Sequence, residues 1–276
     1  RQSVLETSAA KDEDSVYRLY YDFHQNVGKV QGHQVLAINR GEREEFLKVS
    51  VATDRDAALV LLRRAVVRPG SKAMDFVKSA AEDAYDRLLY PSLEREIRST
   101  LTDEASEGAI HNFALNLRPL LMQPPVKGHV TMGLDPGYRM GCKVAVVDGT
   151  GKVLDTTVVY PTHGERQKAA CIKELLALIR RHGVTHIAIG NGTASRETEQ
   201  MTVELIREAD GGVSYMIVSE AGASVYSASK LAAEEFPEYD VNLRSAVSIA
   251  RRLQDPLAEL VKIDPKAIGV GQYQHD

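Results

Sequence analysis

Apolar residues in the first half of the chain recur mainly with helical spacing. Val16, Leu19, Tyr20 and Phe23 follow the i, i+3, i+4, i+7 pattern, which predicts a helix from about Asp12 with these side chains in the core. One isolated strand is predicted at 45–51, with no partner that the pattern identifies. Further helices are predicted at 35–41, 54–67, 71–89, from 91 onward, and at 104–122. This half is therefore predicted to be mainly α-helical.

The pattern changes after residues 123–128, where two prolines and a glycine can continue neither a helix nor a strand ladder. Downstream, two strands joined by a tight turn at 148–151 are followed by alternating strands and helices. This order predicts a mixed five-stranded sheet flanked by helices, the arrangement of the ribonuclease H-like α/β fold. Strands are predicted at 129–134, 143–147, 153–160, 186–190 and 214–219, and helices at 168–181 and 195–209.

A chain of 276 residues is long enough for two domains. The boundaries predicted are 1–127 for the mainly helical domain, 128–265 for the ribonuclease H-like domain and 266–276 for the start of a linker. Cys142 and Cys171 lie far apart in no metal-ligand or redox spacing, and no secretory pattern opens the chain. No apolar run approaches the ~18 residues that a bilayer span needs. A cytoplasmic protein without a membrane anchor is therefore expected.

The net charge limits how the chain could bind nucleic acid. Its total is −4, with 18 basic against 19 acidic residues in 1–127 and 16 against 19 in 128–276. Proteins that bind nucleic acid mainly through phosphates carry a basic excess, which neither half has. Binding would therefore need a local patch, a metal ion or parts of the protein outside this chain.

The segment Gly133-Leu134-Asp135-Pro136-Gly137 places a carboxylate at the end of a predicted strand. Such carboxylates project into the crevice above a sheet, where they can hold Mg²⁺, and two such ions can clamp a phosphodiester displacement. The alternative is that Asp135 and Pro136 only shape a tight turn. Spacing by itself leaves both interpretations open.

Several segments resemble the Tex family of bacterial transcription accessory proteins. The stretch 36–42 resembles the central region of that family, and 268–276 resembles the approach to its helix-hairpin-helix region. The resemblance implies a fragment of a longer protein, in which helix-hairpin-helix and S1 elements are the main contacts to RNA or DNA and the transcription machinery is a partner. The segments similar to the YqgF-type domain of the family are 133–137, 142–147, 189–198, 218–227 and 255–265.

The resemblance also implies an acidic site, because related RuvC- and YqgF-type domains use carboxylates around the first-strand aspartate. Asp135 matches the first position and Glu220 the second, whereas the fourth strand ends in a Gly-Asn-Gly sequence and Arg244 stands where the last helix should supply acids. Asp240 and Asp255 are weaker candidates. We therefore expect a degenerate nuclease fold that is not an enzyme, needs no cofactor and acts as a nucleic-acid-associated scaffold.

The alternative function is a nuclease or resolvase dependent on Mg²⁺ or Mn²⁺. In that case Asp135 and Glu220 would bind the metal, and a third ligand would come from Glu197, Glu199, Asp240 or Asp255. Structured or single-stranded nucleic acid would then be the substrate.

The stretch 191–196 provides a candidate phosphate site, in Asn191, Thr193, Ser195 and Arg196. Backbone N–H groups and hydroxyl groups at the start of a helix bind anions. The other interpretation is a strand-to-helix turn capped by Thr193 or Ser195. An actin-like phosphotransferase would need phosphate loops in both halves of its fold, and only this one is present.

Overall fold

A computed structural model describes residues 3–271 of the chain. These residues form two compact units, one extending to Ala114 and including Gly271, the other comprising Leu115–Val270. In the described part of the chain, no helix combines the length and the apolar character needed to cross a bilayer.

The first unit contains a three-stranded antiparallel sheet in the order β2-β1-β3. The strand predicted at 45–51 is present as β3, and its partner is β1 near the start of the chain, which the pattern did not reveal. The bounds are Val4–Ala9 for β1, Asp22–Asn26 for β2 and Leu47–Ala52 for β3.

The prediction of a helix from about Asp12 is wrong. Val16 and Leu19 are each 85% exposed, and the segment forms only a 3-10 turn, Arg18–Tyr20, before β2 begins. Pairing with β1 satisfies the backbone of β2, while Tyr20 and Phe23 still pack against the core formed by Leu5, Ile38 and Val51. The helical spacing of the four apolar residues was therefore coincidental.

The remaining helices of this half agree with prediction in type and differ at their ends, and those predicted from residue 91 and at 104–122 form one continuous helix. Asp54 caps α2 by accepting the Ala57 N–H, as expected for a helix beginning there. The helix predicted at 35–41 is longer and continues through Gly41. A Cβ on Gly41 would lie only 2.6 Å from Leu47 Cδ1. Gly41 thus lets β3 pack closely on the helix. The bounds are Gly32–Arg43 for α1, Arg55–Val66 for α2, Met74–Ala84 for α3 and Tyr90–Leu121 for α4, with a π-helical turn, Tyr85–Leu89, before α4.

The second unit is built on a five-stranded mixed sheet in the order β6-β5-β4-β7-β8. The pairs β6–β5 and β5–β4 are antiparallel, whereas β4–β7 and β7–β8 are parallel. This topology confirms the predicted ribonuclease H-like fold class. The strands are β4, Thr131–Asp135; β5, Cys142–Val147; β6, Val153–Val159; β7, His186–Gly190; and β8, Ser214–Val218.

Helices cover both faces of this sheet. On one face α5 and α6 bury Leu175 and Leu205 against β4 and β7, and α5 ends at Gly183, whose φ of 66° fits the predicted glycine C-cap. On the other face α9 lies directly over Gly133, where a Cβ would be 2.3 Å from the Ala246 carbonyl oxygen. The bounds are Glu165–His182 for α5, Ser195–Glu208 for α6, Ala223–Ser227 for α7, Lys230–Glu235 for α8, Val241–Gln254 for α9 and Pro256–Leu260 for α10.

The linker predicted at 266–276 is described only in part. Pro265–Ala267 forms a 3-10 turn, and Ile268 packs in a cluster with Tyr226, Leu260 and Ile263. Residues 272–276, which carry the end of the resemblance to the helix-hairpin-helix approach, lie outside the described residues.

Candidate nuclease-type carboxylate site

The two acids with the best match to a nuclease site lie at one edge of the five-stranded sheet. Asp135 is the last residue of β4, and Glu220 follows the end of β8 by two residues. Because β4, β7 and β8 are parallel, their carboxyl ends meet at the same edge. The two side chains therefore flank the end of β7, at Gly190.

Two glycines make room for the Glu220 carboxylate at this edge. A Cβ on Gly190 would lie 2.7 Å from Glu220 Oε2, and a Cβ on Gly192 would lie 1.7 Å from Oε1. The Gly192 N–H donates a hydrogen bond to the Glu220 carboxylate, and Asn191 Oδ1 accepts the Glu220 N–H at 3.0 Å. The Gly-Asn-Gly sequence thus replaces an expected acid and also seats the carboxylate of a neighbouring strand.

Burial raises the pKa of Asp135 above the usual carboxyl range. A hydrogen bond with the Ser245 side chain and the positive charge of Lys143 oppose that rise. Lys143 stands opposite Asp135 in the antiparallel pair and is itself only 9% exposed. The Asp135 carboxylate therefore lies near the ammonium group of Lys143 and is hydrogen-bonded to the Ser245 hydroxyl.

Glu220 shares this electrostatic environment. Burial is the main cause that raises its pKa, and the negative charge of Asp135 adds to the rise. The Gly192 N–H and the positive charge of Arg252 act in the opposite direction. The two carboxylates are thus close enough to repel each other when both are ionised.

Arg252 on α9 fixes the loop that carries Glu220. Its guanidinium Nη1 donates to the carbonyl oxygens of Ser219 and Ala221, each at 2.8 Å. The side chain is 2% exposed, and burial lowers its pKa to about 10. Within the described residues its Nε and Nη2 have no hydrogen-bond partner. The backbone on both sides of Glu220 is therefore held by one buried cation.

Arg244, which stands where an acid was expected, does not enter the carboxylate site. Its guanidinium donates to the carbonyl oxygens of Phe236 and Ser227. The next residue, Ser245, is the one that contacts Asp135. The start of α9 thus reaches the site with a hydroxyl in place of a carboxylate.

The other predicted acids have partners outside the pair. Asp240 and Asp255 each accept a backbone N–H at the start of α9 and α10, at 2.9 and 3.2 Å. Glu197 and Glu199 each accept a tyrosine hydroxyl, at 2.8 and 2.9 Å. Across residues 3–271, no group of three or more His, Cys, Asp or Glu side chains is arranged to hold a metal ion.

This set of donors does not fit the two-ion centre of a phosphodiester nuclease. Two ions held side by side need several converging carboxylates, and Asp135 and Glu220 are two. Mg²⁺ can also be held by one or two carboxylates when substrate phosphates complete its shell. The pair could therefore hold at most one weakly bound ion, which the positive charges of Lys143 and Arg252 would repel.

The loop between β7 and α6 differs from the predicted capped turn. The prediction that Thr193 or Ser195 caps the helix is wrong, because the N-cap residue is Ala194, with φ 64°, and no side chain caps the helix. The left-handed turn at Ala194 moves both hydroxyl residues away from the capping position. Of the predicted phosphate ligands, Asn191 is bonded to Glu220, while Thr193 and Arg196 are exposed.

Three residues of the site were missed by the sequence argument: Lys143, Ser245 and Arg252. A signal existed for Lys143, since it is the one charged residue in the buried strand β5. Ser245 and Arg252 are seven residues apart, two turns of α9, and so share the face that meets the sheet. Both are polar residues on the buried face of an amphipathic helix, and that placement is the signal for them.

The fold defines a ribonuclease H-like domain with a pair of candidate carboxylates at one sheet edge, preceded by a mainly helical unit. Two family models match the chain: the Tex central region-like model over residues 2–113 and the Tex protein YqgF-like domain over residues 129–254. The chain belongs to the Tex family, which confirms the resemblance.

Curated relatives agree with this assignment. The chain is 50% identical to "Uncharacterized protein YdcI" of Bacillus subtilis, over 100% of its own length and 38% of that protein. It is 48% identical to "Transcriptional accessory protein Tex" of Neisseria gonorrhoeae, over 93% of the chain and 34% of that protein. The human "S1 RNA-binding domain-containing protein 1" is 46% identical over 96% of the chain and 27% of its own length.

The chain thus spans little more than a third of the length of the bacterial relatives. Among solved structures, "Thermus thermophilus RuvC structure" aligns with a TM-score of 0.36 at 18% identity, covering 48% of this chain and 95% of that one.

Proposed function

We propose that this chain is the core of a Tex-type transcription accessory factor of the cytoplasm, and that its ribonuclease H-like domain is a nucleic-acid-associated scaffold that does not cut. The observation that carries the proposal is a pair of carboxylates that no third acid joins within residues 3–271. Asp135 and Glu220 lie together, whereas the other four candidate acids cap helices or bind tyrosine hydroxyls.

The charges around the pair support a structural role. Lys143 faces Asp135, and Arg252 acts on Glu220, so the protein itself supplies the positive charge that a divalent ion supplies in a nuclease. These two buried cations would repel a metal ion that entered the site. We infer that this arrangement preserves the geometry of an acidic site without needing metal.

Support for the association with nucleic acid comes from the relatives. One is named a transcriptional accessory protein and another an S1 RNA-binding domain-containing protein. The chain has a net charge of −4, so phosphate contacts on its own surface must be local. We propose that other parts of the longer protein provide the main contacts to RNA or DNA, and that this core positions them beside the transcription machinery.

A metal-dependent nuclease is the second candidate function, and one observation favours it. The charge of Asp135 raises the pKa of Glu220, so the two carboxylates repel each other. A divalent cation between them would relieve that repulsion. Mg²⁺ or Mn²⁺ would then be held by Asp135 and Glu220 together with phosphate oxygens of the substrate.

A cleavage assay separates the two functions. The chain would be incubated with Mg²⁺ or Mn²⁺ and with branched and single-stranded oligonucleotides, beside the variants Asp135→Asn and Asp210→Asn. Asp210 is an exposed residue with φ 57°, a conformation that asparagine accepts well, so it is a matched control. We expect no cleavage by any of the three. Cleavage that Asp135→Asn abolishes and Asp210→Asn leaves intact would establish the nuclease.

A further inference from the structure

Exposed aromatic and basic residues surround the same edge of the sheet as the carboxylate pair. Tyr138 and Arg139 lie in the loop between β4 and β5, Tyr160 and His163 lie between β6 and α5, and Arg196 lies in the first turn of α6. Tyr138 is 46% exposed and Tyr160 is 39% exposed. We call these five residues the tyrosine rim.

Contacts among the loops hold the rim in place. His163 Nε2 donates to the Tyr138 carbonyl oxygen at 2.9 Å, and the rings of His163 and Tyr160 are 5.1 Å apart between centroids. The Tyr138 hydroxyl donates to Glu197 Oε1 at 2.8 Å, which ties the first loop to α6. Two loops and the first turn of α6 are therefore connected through one tyrosine, which is nevertheless nearly half exposed. Such a ring is positioned before a ligand arrives, so little side-chain freedom is lost on binding.

Three arginines of this unit lie beside carboxylates, whereas in the described part of the chain the two of the rim do not. Arg180, Arg181 and Arg251 each lie within 4 Å of a carboxylate oxygen, at 3.9, 3.4 and 3.7 Å. Within residues 3–271, neither Arg139 nor Arg196 forms an ion pair, and both are exposed. Arg139 is adjacent to Tyr138 in sequence, and Arg196 is adjacent to Glu197, which binds the Tyr138 hydroxyl. Both arginines thus belong to the two segments that the Tyr138–Glu197 hydrogen bond joins, and their exposed side chains are available to an anion.

Exposed aromatic rings with free arginines beside them match the chemistry of single-stranded nucleic acid. Unpaired bases stack on aromatic side chains whatever their sequence, while arginine binds the phosphates between them. In a duplex the base faces are stacked on each other and are closed to a protein ring. Among the buried groups at this edge, the positive charges of Lys143 and Arg252 offset the negative charges of Asp135 and Glu220.

We propose that the tyrosine rim binds single-stranded nucleic acid, with a base stacked on Tyr138 and backbone phosphates bound by Arg139 and Arg196. This inference rests on the proposed function as a nucleic-acid-associated scaffold and adds a contact within the ribonuclease H-like domain itself. Tyr160 offers a second ring to the neighbouring base.

The test measures binding of the whole chain to a fluorescein-labelled single strand by fluorescence anisotropy. The probe has about 12 nucleotides, within the range of known single-strand sites, and is used as RNA and as DNA. Titrations run between roughly 50 and 200 mM salt, because phosphate contacts show as a salt dependence. An unlabelled duplex of the same sequence serves as competitor.

Two variants remove the proposed contacts separately. Arg139→Ala/Arg196→Ala should weaken binding about tenfold or more and lower the slope of log K against log salt by about 1.4, since each phosphate contact to a single strand contributes about 0.7. Tyr138→Leu should weaken binding about fivefold or more with an unchanged slope, because stacking is uncharged. Tyr138→Phe keeps the ring and loses only the hydrogen bond to Glu197, so it should bind more tightly than Tyr138→Leu.

The matched control is Lys173→Ala/Arg207→Ala. Both residues are exposed on α5 and α6, form no ion pair within residues 3–271, and lie away from the rim along their helices. The control removes the same two charges and should change the affinity less than twofold. Urea unfolding of each variant confirms that the fold is intact.

The rim proposal is overturned if the control double variant weakens binding as much as Arg139→Ala/Arg196→Ala does. It is also overturned if Tyr138→Leu binds normally, if the duplex competes as well as the single strand, or if no binding is measurable at low salt. Cutting of the probe with added Mg²⁺ would contradict the scaffold function and leave the rim intact, so the two failures are distinguishable.

Discussion

Gly192→Ala tests whether the Glu220 carboxylate really occupies the space above the end of β7. The new Cβ would lie 1.7 Å from Glu220 Oε1 and 2.4 Å from its carboxyl carbon. The φ angle of Gly192 is outside the left-handed region, so alanine fits the backbone itself. The whole cost of the substitution therefore comes from the displacement of one side chain.

The expected magnitude follows from that displacement. Glu220 must leave its position and lose the hydrogen bond from the Gly192 N–H. Overpacking costs about 1–3 kcal/mol, and a hydrogen bond to a charged group contributes about 1.5–3 kcal/mol when buried. Glu220 is only half-buried, so water replaces part of the lost bond. We expect the free energy of unfolding to fall by about 1–2 kcal/mol.

A double-mutant cycle in urea unfolding, followed by circular dichroism, measures this coupling. In a Glu220→Ala background, Gly192→Ala should lower the free energy of unfolding by less than about 0.5 kcal/mol, because no carboxylate remains to be displaced. Gly190→Ala is the matched control, since its Cβ would also lie 2.9 Å from Ile249 Cδ1 and 3.3 Å from Pro136 Cδ. Its cost should persist without Glu220. An equal cost of Gly192→Ala in both backgrounds would refute the reasoning.

Three further predictions concern the same unit. Gly133→Ala should destabilise it by about 3 kcal/mol in urea unfolding, because the new Cβ would lie 2.3 Å from a backbone oxygen of α9; a near-neutral effect would contradict the close packing. Burial raises the pKa of Asp135, so its ionised form weakens the fold at neutral pH. Asp135→Asn should therefore stabilise the protein at pH 7, and this gain should vanish as pH falls below the ordinary carboxyl pKa. Glu220→Gln should behave likewise; a gain independent of pH would argue against titration as its cause. Burial also raises the pKa of the Cys142 and Cys171 thiols, so a disulfide reagent should label neither thiol until urea unfolds the chain, and rapid labelling of the folded protein would be the contrary result.

The order of elements in the second unit could be predicted from the sequence because each element carries its own periodicity. Strand β7 was predicted with the same bounds that it has, and Gly183 ends α5 in the left-handed conformation that favours glycine. In the first unit, the pairing of β1 with β3 joins segments about forty residues apart. No local pattern encodes such a pairing, and the spacing at Val16 and Leu19 indicated a helix that does not form.

The candidate site likewise combines local features, which the sequence predicts, with features that depend on tertiary contacts. The sequence by itself determined that Asp135 ends a buried strand and that Glu220 follows another, because a strand end is a local feature. Only the tertiary structure decided what surrounds them: the parallel pairing that brings the two acids to one edge, the glycines at and just after the end of β7 that seat Glu220, and the buried cations Lys143 and Arg252. The physical reason is that burial and charge act through space, between residues that the chain keeps far apart.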